Sequence, residues 1–220
     1  MEFLFAIIVL ILSIVIHELA HGYAALAQGD PTAKYAGRLT MNPIKHLDLV
    51  GSFIVPLSLY ILSAGFILGW AKPVPYNPYN LNNQRWGEAL VAVAGPAANI
   101  VVAVLFGLLI RFGGGFLSQD ALLLAGLIVI INIVIALFNL LPIPPLDGSK
   151  VLFDLLPRSV KVSEMRLFLE RYGLLVILVV VIFAGGIIFP AISVILVFVF
   201  ELLSGDVSLI GEVINRFLSQ

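Results

Sequence analysis

The chain contains no cysteine. This excludes disulfides and thiolate metal sites, so any bound metal has to be held by histidine and carboxylate ligands. Charge is nearly as scarce. Asp, Glu, Lys and Arg make up 11% of the residues, against roughly 25% in a typical soluble domain. No basic patch marks a nucleic-acid partner, and the formal net charge of -1 selects no other. Internal repeats, low-complexity tracts and a second domain are also absent, so residues 1–220 read as a single integral-membrane unit.

Apolar surface is what the sequence has in excess. Hydrophobic residues make up 61% of the chain, and the mean hydropathy is +1.12. A core built from 220 residues could not hide that much apolar surface from water, so the surrounding solvent is lipid. The expected class is an all-α polytopic membrane protein with four to six transmembrane helices.

The apolar stretches come in order. Residues 3–27 read as a first helix, kept rather than cleaved, because Glu2 stands where a signal peptide carries positive charge. Residues 28–46 are polar and turn-rich. Residues 49–70 are apolar but broken by Gly51, Pro56, Gly65 and Gly69. A loop rich in Pro and Asn precedes a second helix at 88–111, and a third spans about 121–141. Residues 150–172 are amphipathic and suited to the interface. The apolar run 173–203 is longer than ~30 Å of hydrocarbon needs, so it should be bent or divided.

Into the first helix the sequence inserts "SIVIHELAHGYAA". Ionisable groups in hydrocarbon are costly, so their presence needs a reason. His17 and His21 stand four apart and share one helical face. His-Glu-x-x-His is a metal-hydrolase signature, with two imidazole ligands and a glutamate as general base. Glu18 lies one position round the helix, placed for water rather than for the ion. The alternative is that both histidines only hydrogen-bond neighbouring helices. Catalytic zinc takes three protein ligands and keeps one open position. Asp147 is the candidate third ligand, because it follows an apolar helix on the irregular segment "PIPPLDG". It is equally placed to cap the helix that follows. His46 is the rival ligand, in a polar loop.

Taken together, these motifs resemble the site-2 protease family of intramembrane zinc metalloproteases. "HELAH" at 17–21 matches its metal and base motif, "AGPAAN" at 94–99 its Gly-Pro-x-x-Asn motif, and "NLLPIPPLDG" at 139–148 its Asn-x-x-Pro-x-x-x-Leu-Asp-Gly motif. Order and spacing agree over roughly residues 10–150, and the catalytic core is placed at about 3–157. The resemblance implies that His17, His21 and Asp147 bind Zn2+, that Glu18 is the base, and that Asn99 and Asn139 lie beside the substrate path. An interhelical hydrogen bond for Asn99, and a capping role for Asn139 near Pro142, are the ordinary alternatives. With no PDZ-like insertion, the chain looks like the small bacterial subgroup, an enzyme of the cell membrane.

Topology follows from the site. If the histidines near the end of the first helix meet Asp147 after the third, both ends lie on one side, and an even number of crossings separates them. Residues 49–70 are then re-entrant. Lys34, Arg38, Lys45, Lys72, Arg85, Lys150, Arg158, Lys161, Arg166 and Arg171 fall on the site's side, with little besides Arg111 opposite. By the positive-inside rule the site faces the cytoplasm. The expected function is zinc-dependent endopeptidase cleavage in or near transmembrane segments of membrane proteins. Short extended pieces near the site, in "YAGRLTM" or "GFILGWAKPV", would hold an unwound substrate by strand addition. The rival functions are a metal transporter using the same ligands and a non-catalytic zinc-binding membrane scaffold. Oligomeric state and physiological substrate are not encoded in any motif.

Overall fold

Residues 2–61, 70–157 and 159–218 are described by the computed structural model, which is helical throughout. Among the described residues four helices are long and apolar enough to cross a membrane: α1 (Glu2–Ala27), α4 (Gly87–Gly113), α5 (Gln119–Asn139) and α8 (Gly173–Ser204). The shorter elements are α2 (Thr32–Tyr35), α3 (Val55–Ile61, preceded by a π turn at Val50–Ile54), α6 (Asp147–Leu155), α7 (Val160–Arg171) and α9 (Ser208–Val213). No strand forms among the described residues.

The ends of these helices follow from local chemistry. Ser118 caps α5, its hydroxyl accepting from the Ala121 N–H at 3.3 Å. The run 173–203 lies within one continuous helix of 32 residues, Gly173–Ser204, with Pro190 inside it. It is not divided, and it stops at Gly205, whose left-handed φ of 75° suits a C-terminal cap.

A bilayer gives helices no hydrophobic reason to associate, so they pack through close small-residue contacts and internal hydrogen bonds. Ala103 of α4 is fully buried. A side chain at Gly107 would run into Leu203 of α8, and one at Gly126 of α5 into Val213 of α9. Leu127, Val129 and Ile133 of α5, Phe200 of α8 and Val213 of α9 fill the core between them. Outward-facing Leu, Ile, Val and Phe side chains, such as Leu105, Ile182 and Phe183, are exposed as lipid-facing residues would be.

Residues 49–61 start into the apolar layer without forming a span. Gly51 C=O accepts from the Trp70 N–H at 3.1 Å, and His46 C=O from the Lys72 N–H at 2.8 Å. The chain therefore comes back to where it left, which is the non-crossing arrangement expected for 49–70; residues 62–69 lie outside the described set. Neither expected extended piece is a strand. Residues 35–41 are the end of α2 and turns, with Gly37 at a φ of 63°. In the second stretch 70–74 is irregular, and 65–69 lies outside the described residues.

Polar ties hold the loops at this end together. Asp30 is fully buried and accepts from Thr32 Oγ1 at 2.5 Å, Asn77 N–H at 2.7 Å and Asn80 Nδ2 at 2.9 Å. Burial alone would raise its carboxyl, but the hydrogen bonds from Thr32, Asn80 and Asn77 hold it below the usual carboxylate range. At the opposite end Arg216 reaches Glu2 at 2.8 Å and Asp120 at 2.6 Å. That adds Arg216 to Arg111 as the cations of the far side.

Candidate metal centre

Two turns of α1, one of α4 and the start of α6 converge on a buried cluster. The hairpin between α4 and α5 returns the chain to the level of His17 and His21. After α5 the loop 140–146 folds back, and α6 begins at Asp147. That fold-back needs Gly148. A side chain there would collide with the carbonyls of Leu140 and Leu141.

Asp147 does not cap its helix. Leu146 is the N-cap residue and makes no side-chain cap. The carboxylate turns inward instead, with Oδ2 3.0 Å from His17 Nε2 and 3.1 Å from His21 Nε2. All three residues are buried, and their ligand atoms lie within 4.8 Å of one another. Ligand atoms around a tetrahedral zinc at about 2.0–2.2 Å sit roughly 3.3–3.6 Å apart. The two rings meet edge to face, with centroids 4.6 Å apart. A side chain at Gly95 of α4 would strike both rings, so glycine is what lets α4 approach this closely.

The hydrogen bonds at the outer nitrogens fix what the inner ones can do. His21 Nδ1 lies 2.7 Å from the Val91 carbonyl oxygen, which can only accept, so Nδ1 carries the proton. His17 Nδ1 lies 2.6 Å from Asn99 Oδ1. The Asn99 amide cannot flip, because its Nδ2 donates to the Ser13 carbonyl at 3.2 Å and to Asn132 Oδ1 at 2.8 Å. Asn132 in turn donates to Ser13 Oγ at 2.9 Å and to the Ile128 carbonyl at 2.9 Å. With its Nδ1 proton so held, each ring in its neutral form aims an Nε2 lone pair at a carboxylate oxygen. Three acceptors facing one another repel unless a cation lies among them, which is how the donor set fits a metal.

Glu18 is half-buried beside this cluster and does not join it. Its Oε2 accepts from the Val74 N–H at 2.7 Å. Lys150 Nζ lies 3.3 Å from Asp147 Oδ1 and 5.5 Å from the centre of the Tyr76 ring. Further out, Glu88 at the start of α4 pairs with Arg166 of α7, which also holds Glu170 at 2.7 Å. Burial works against the Arg166 charge, but hydrogen bonds to Glu88 and Glu170 raise its pKa above the ordinary arginine value.

The structure thus brings His17, His21 and Asp147 together, with Asn99 on the outer nitrogen of His17. His46, the rival ligand, is elsewhere: it is buried in a short 3₁₀ turn (Pro43–His46), and its Nε2 donates to the Thr40 carbonyl at 2.9 Å. Asn139 bonds its own helix, Nδ2 donating to the Ile135 carbonyl at 2.9 Å. Sequence reasoning missed Ser13, Asn132 and Val74. Ser13 had a legible signal, since 13, 17 and 21 lie on one helical face. So did Asn132, a lone amide in an apolar helix. The Val74 donor is a main-chain group and left no residue-type signal.

Comparison with known proteins finds a peptidase family and relatives named as zinc metalloproteases. The family model described as "Peptidase family M50" matches residues 5–122 and 114–180. The Bacillus subtilis protein named "Putative zinc metalloprotease YwhC" is 42% identical over 182 residues, covering 80% of this chain and 78% of that one. "Putative zinc metalloprotease MJ0611" of Methanocaldococcus jannaschii is 34% identical over 67% of this chain and 72% of its own length. "Putative zinc metalloprotease Rip2" of Mycolicibacterium smegmatis is 31% identical over 63% of this chain, which spans only 52% of that protein. No solved structure matches the chain significantly.

Proposed function

Because the chain belongs to peptidase family M50, we propose that it is an intramembrane endopeptidase that hydrolyses peptide bonds in or near the transmembrane segments of other membrane proteins. The observation that carries this reading is the meeting of His17 Nε2, His21 Nε2 and Asp147 Oδ2 at the ends of apolar helices, with Glu18 alongside. His17, His21 and Asp147 are the residues that would hold zinc. Bound zinc supplies Lewis-acid chemistry at the scissile carbonyl.

The chain's own groups do the rest. Glu18 takes a proton from the attacking water and delivers it to the leaving amine nitrogen. Asn99 and Val91 keep the Nδ1 protons in place, so the Nε2 lone pairs stay directed at the ion. Leu127, Val129 and Ile133 of α5 belong to a buried apolar core. A transporter would need a polar path onward, and beyond the Ser13, Asn99 and Asn132 group the described residues there are apolar. Nine of the eleven Lys and Arg among the described residues sit on the loops and short helices at the site's end, which supports a cytoplasmic location for it. Asn139 keeps its proposed place beside the substrate; its partly accessible side chain ends α5 eight residues before Asp147.

The test is cleavage of a purified single-span membrane protein by the purified chain in detergent, with zinc measured per chain. Glu18→Gln should keep zinc near the parental content and stop cleavage. A variant cleaving at the parental rate would remove Glu18 from the base role.

A further inference from the structure

Arg38 is a buried cation without a carboxylate partner among the described residues. It is 7% exposed, and its Nε makes no hydrogen bond. Its guanidinium is spent on two main-chain carbonyls: Nη2 donates to Lys72 C=O at 2.7 Å and to Pro73 C=O at 3.3 Å. Burying a guanidinium is costly, so two neutral carbonyls are a poor return unless the segment they belong to has to be held in one place.

That segment carries the Val74 N–H, which donates to Glu18 Oε2 at 2.7 Å. Val74 itself is 6% exposed. The donors two and four residues earlier also point inward, Lys72 N–H to His46 C=O and Trp70 N–H to Gly51 C=O. Pro73 and Pro75 contribute no donors. Along 70–75 the alternate donors are therefore all used internally, and the most C-terminal of them grips the Glu18 carboxylate. This edge is unsuited to accepting a substrate strand at 72 or 74. It is suited to setting the position of Glu18.

We propose that Arg38 is a positioning residue for Glu18: by clamping the Lys72 and Pro73 carbonyls it fixes the Val74 N–H that holds the Glu18 carboxylate beside the metal ligands. This rests on the reading of Glu18 as the general base. Proton transfer needs the carboxylate within hydrogen-bond reach of the water, and a displacement of about 1 Å can cost roughly a hundredfold in rate. A main-chain donor is the stiffer choice for that task, since it brings no rotamer freedom of its own.

The experiment uses the full chain in one detergent with a single-span membrane protein as substrate, and compares Arg38→Ala, Arg38→Lys, Val74→Pro and the double variant Arg38→Ala/Val74→Pro with the parent. Val74→Pro deletes the donor while leaving Arg38 in place, and residue 74 already precedes a proline and so favours an extended backbone. It therefore decides the matter if Arg38→Ala fails to fold. The expected result is a kcat about tenfold or more below the parent in both single variants, with KM and zinc per chain unchanged. The double variant should be no worse than the more severe single, since both break one chain of contacts. Arg38→Lys should fall between, because lysine lacks the planar fork. In the zinc-free protein, hydrogen exchange resolved to the Val74 amide should be at least about tenfold faster in Arg38→Ala. A parental kcat in Val74→Pro, additive losses, zinc lost along with kcat in both single variants, or unchanged Val74 exchange in Arg38→Ala would overturn the proposal. If Glu18→Gln cleaves like the parent, the base assignment falls instead, and the exchange measurement still decides whether Arg38 holds Val74.

Discussion

His21 Nε2 faces Asp147 Oδ2 at 3.1 Å while the same ring's Nδ1 proton is held by the Val91 carbonyl at 2.7 Å. The ring cannot satisfy both oxygens as a neutral donor. The neutral ring's tautomer is set from the α4 side, and what that form presents to Asp147 is a lone pair. Several consequences can be measured.

Asp147→Ala should sharply weaken zinc retention after mild chelation and abolish cleavage, because it removes the carboxylate that both Nε2 atoms face. His46→Ala should keep its zinc, since the His46 Nε2 proton goes to the Thr40 carbonyl. Losing that bond leaves a part-buried acceptor and costs about 1 kcal/mol of stability. Metal per chain in both variants, with folding followed separately, gives the answer. Zinc retained without Asp147 and lost without His46 would reverse the ligand assignment.

Asn132→Leu touches no ligand, yet it removes the oxygen that holds the Asn99 amide the right way round. Outer partners of metal-bound histidines are commonly worth about 10–100-fold in metal affinity. A zinc affinity weaker by roughly that factor is expected, with the helical content unchanged. Competition with a chromophoric chelator measures it; parental affinity would show that Asn99 is oriented without Asn132.

The chain has no cysteine of its own, so single cysteines report topology cleanly. Lys45→Cys and Lys72→Cys replace exposed residues flanking the re-entrant segment. An impermeant thiol reagent should modify both from the same side of sealed vesicles. Labelling from opposite sides would mean that residues between them cross the membrane.

Asp30 predicts an acid-side response of the loops. Its folded carboxyl is held below the ordinary value by its hydrogen bonds. A depressed carboxylate contributes stability that is present above the unfolded pKa of about 4 and is lost as pH falls through the lower folded value. Protection of residues 77–82 from hydrogen exchange should therefore decline as pH drops below roughly 4. Asp30→Asn should be less protected at neutral pH and should lack that decline.

The spans were legible because helices in lipid must be continuously apolar, and the sequence marks 3–27, 88–111 and 121–141 within a few residues of α1, α4 and α5. The candidate metal group was legible for the same reason inverted: in such helices His17 and His21, with Glu18 beside them, are expensive exceptions at metal spacing. Even the return of 49–70 could be argued, since a ligand set split between two helix ends fixes the parity of crossings. Periodicity could not say whether 173–203 bends or divides, because Pro190 permits either; the structure runs it as one helix. Nor could it choose between Asp147 as cap and as ligand. A carboxylate at a helix start suits both, and only the fold-back at Gly148 turns it toward the histidines. For Asn99 the resemblance implies the substrate path and its residue type allows an interhelical hydrogen bond; its amide bonds His17, Ser13 and Asn132. The Val74 and Arg38 contacts run through main-chain atoms. Every residue type carries the same N–H and C=O, so tertiary structure alone decides which of them meets Glu18.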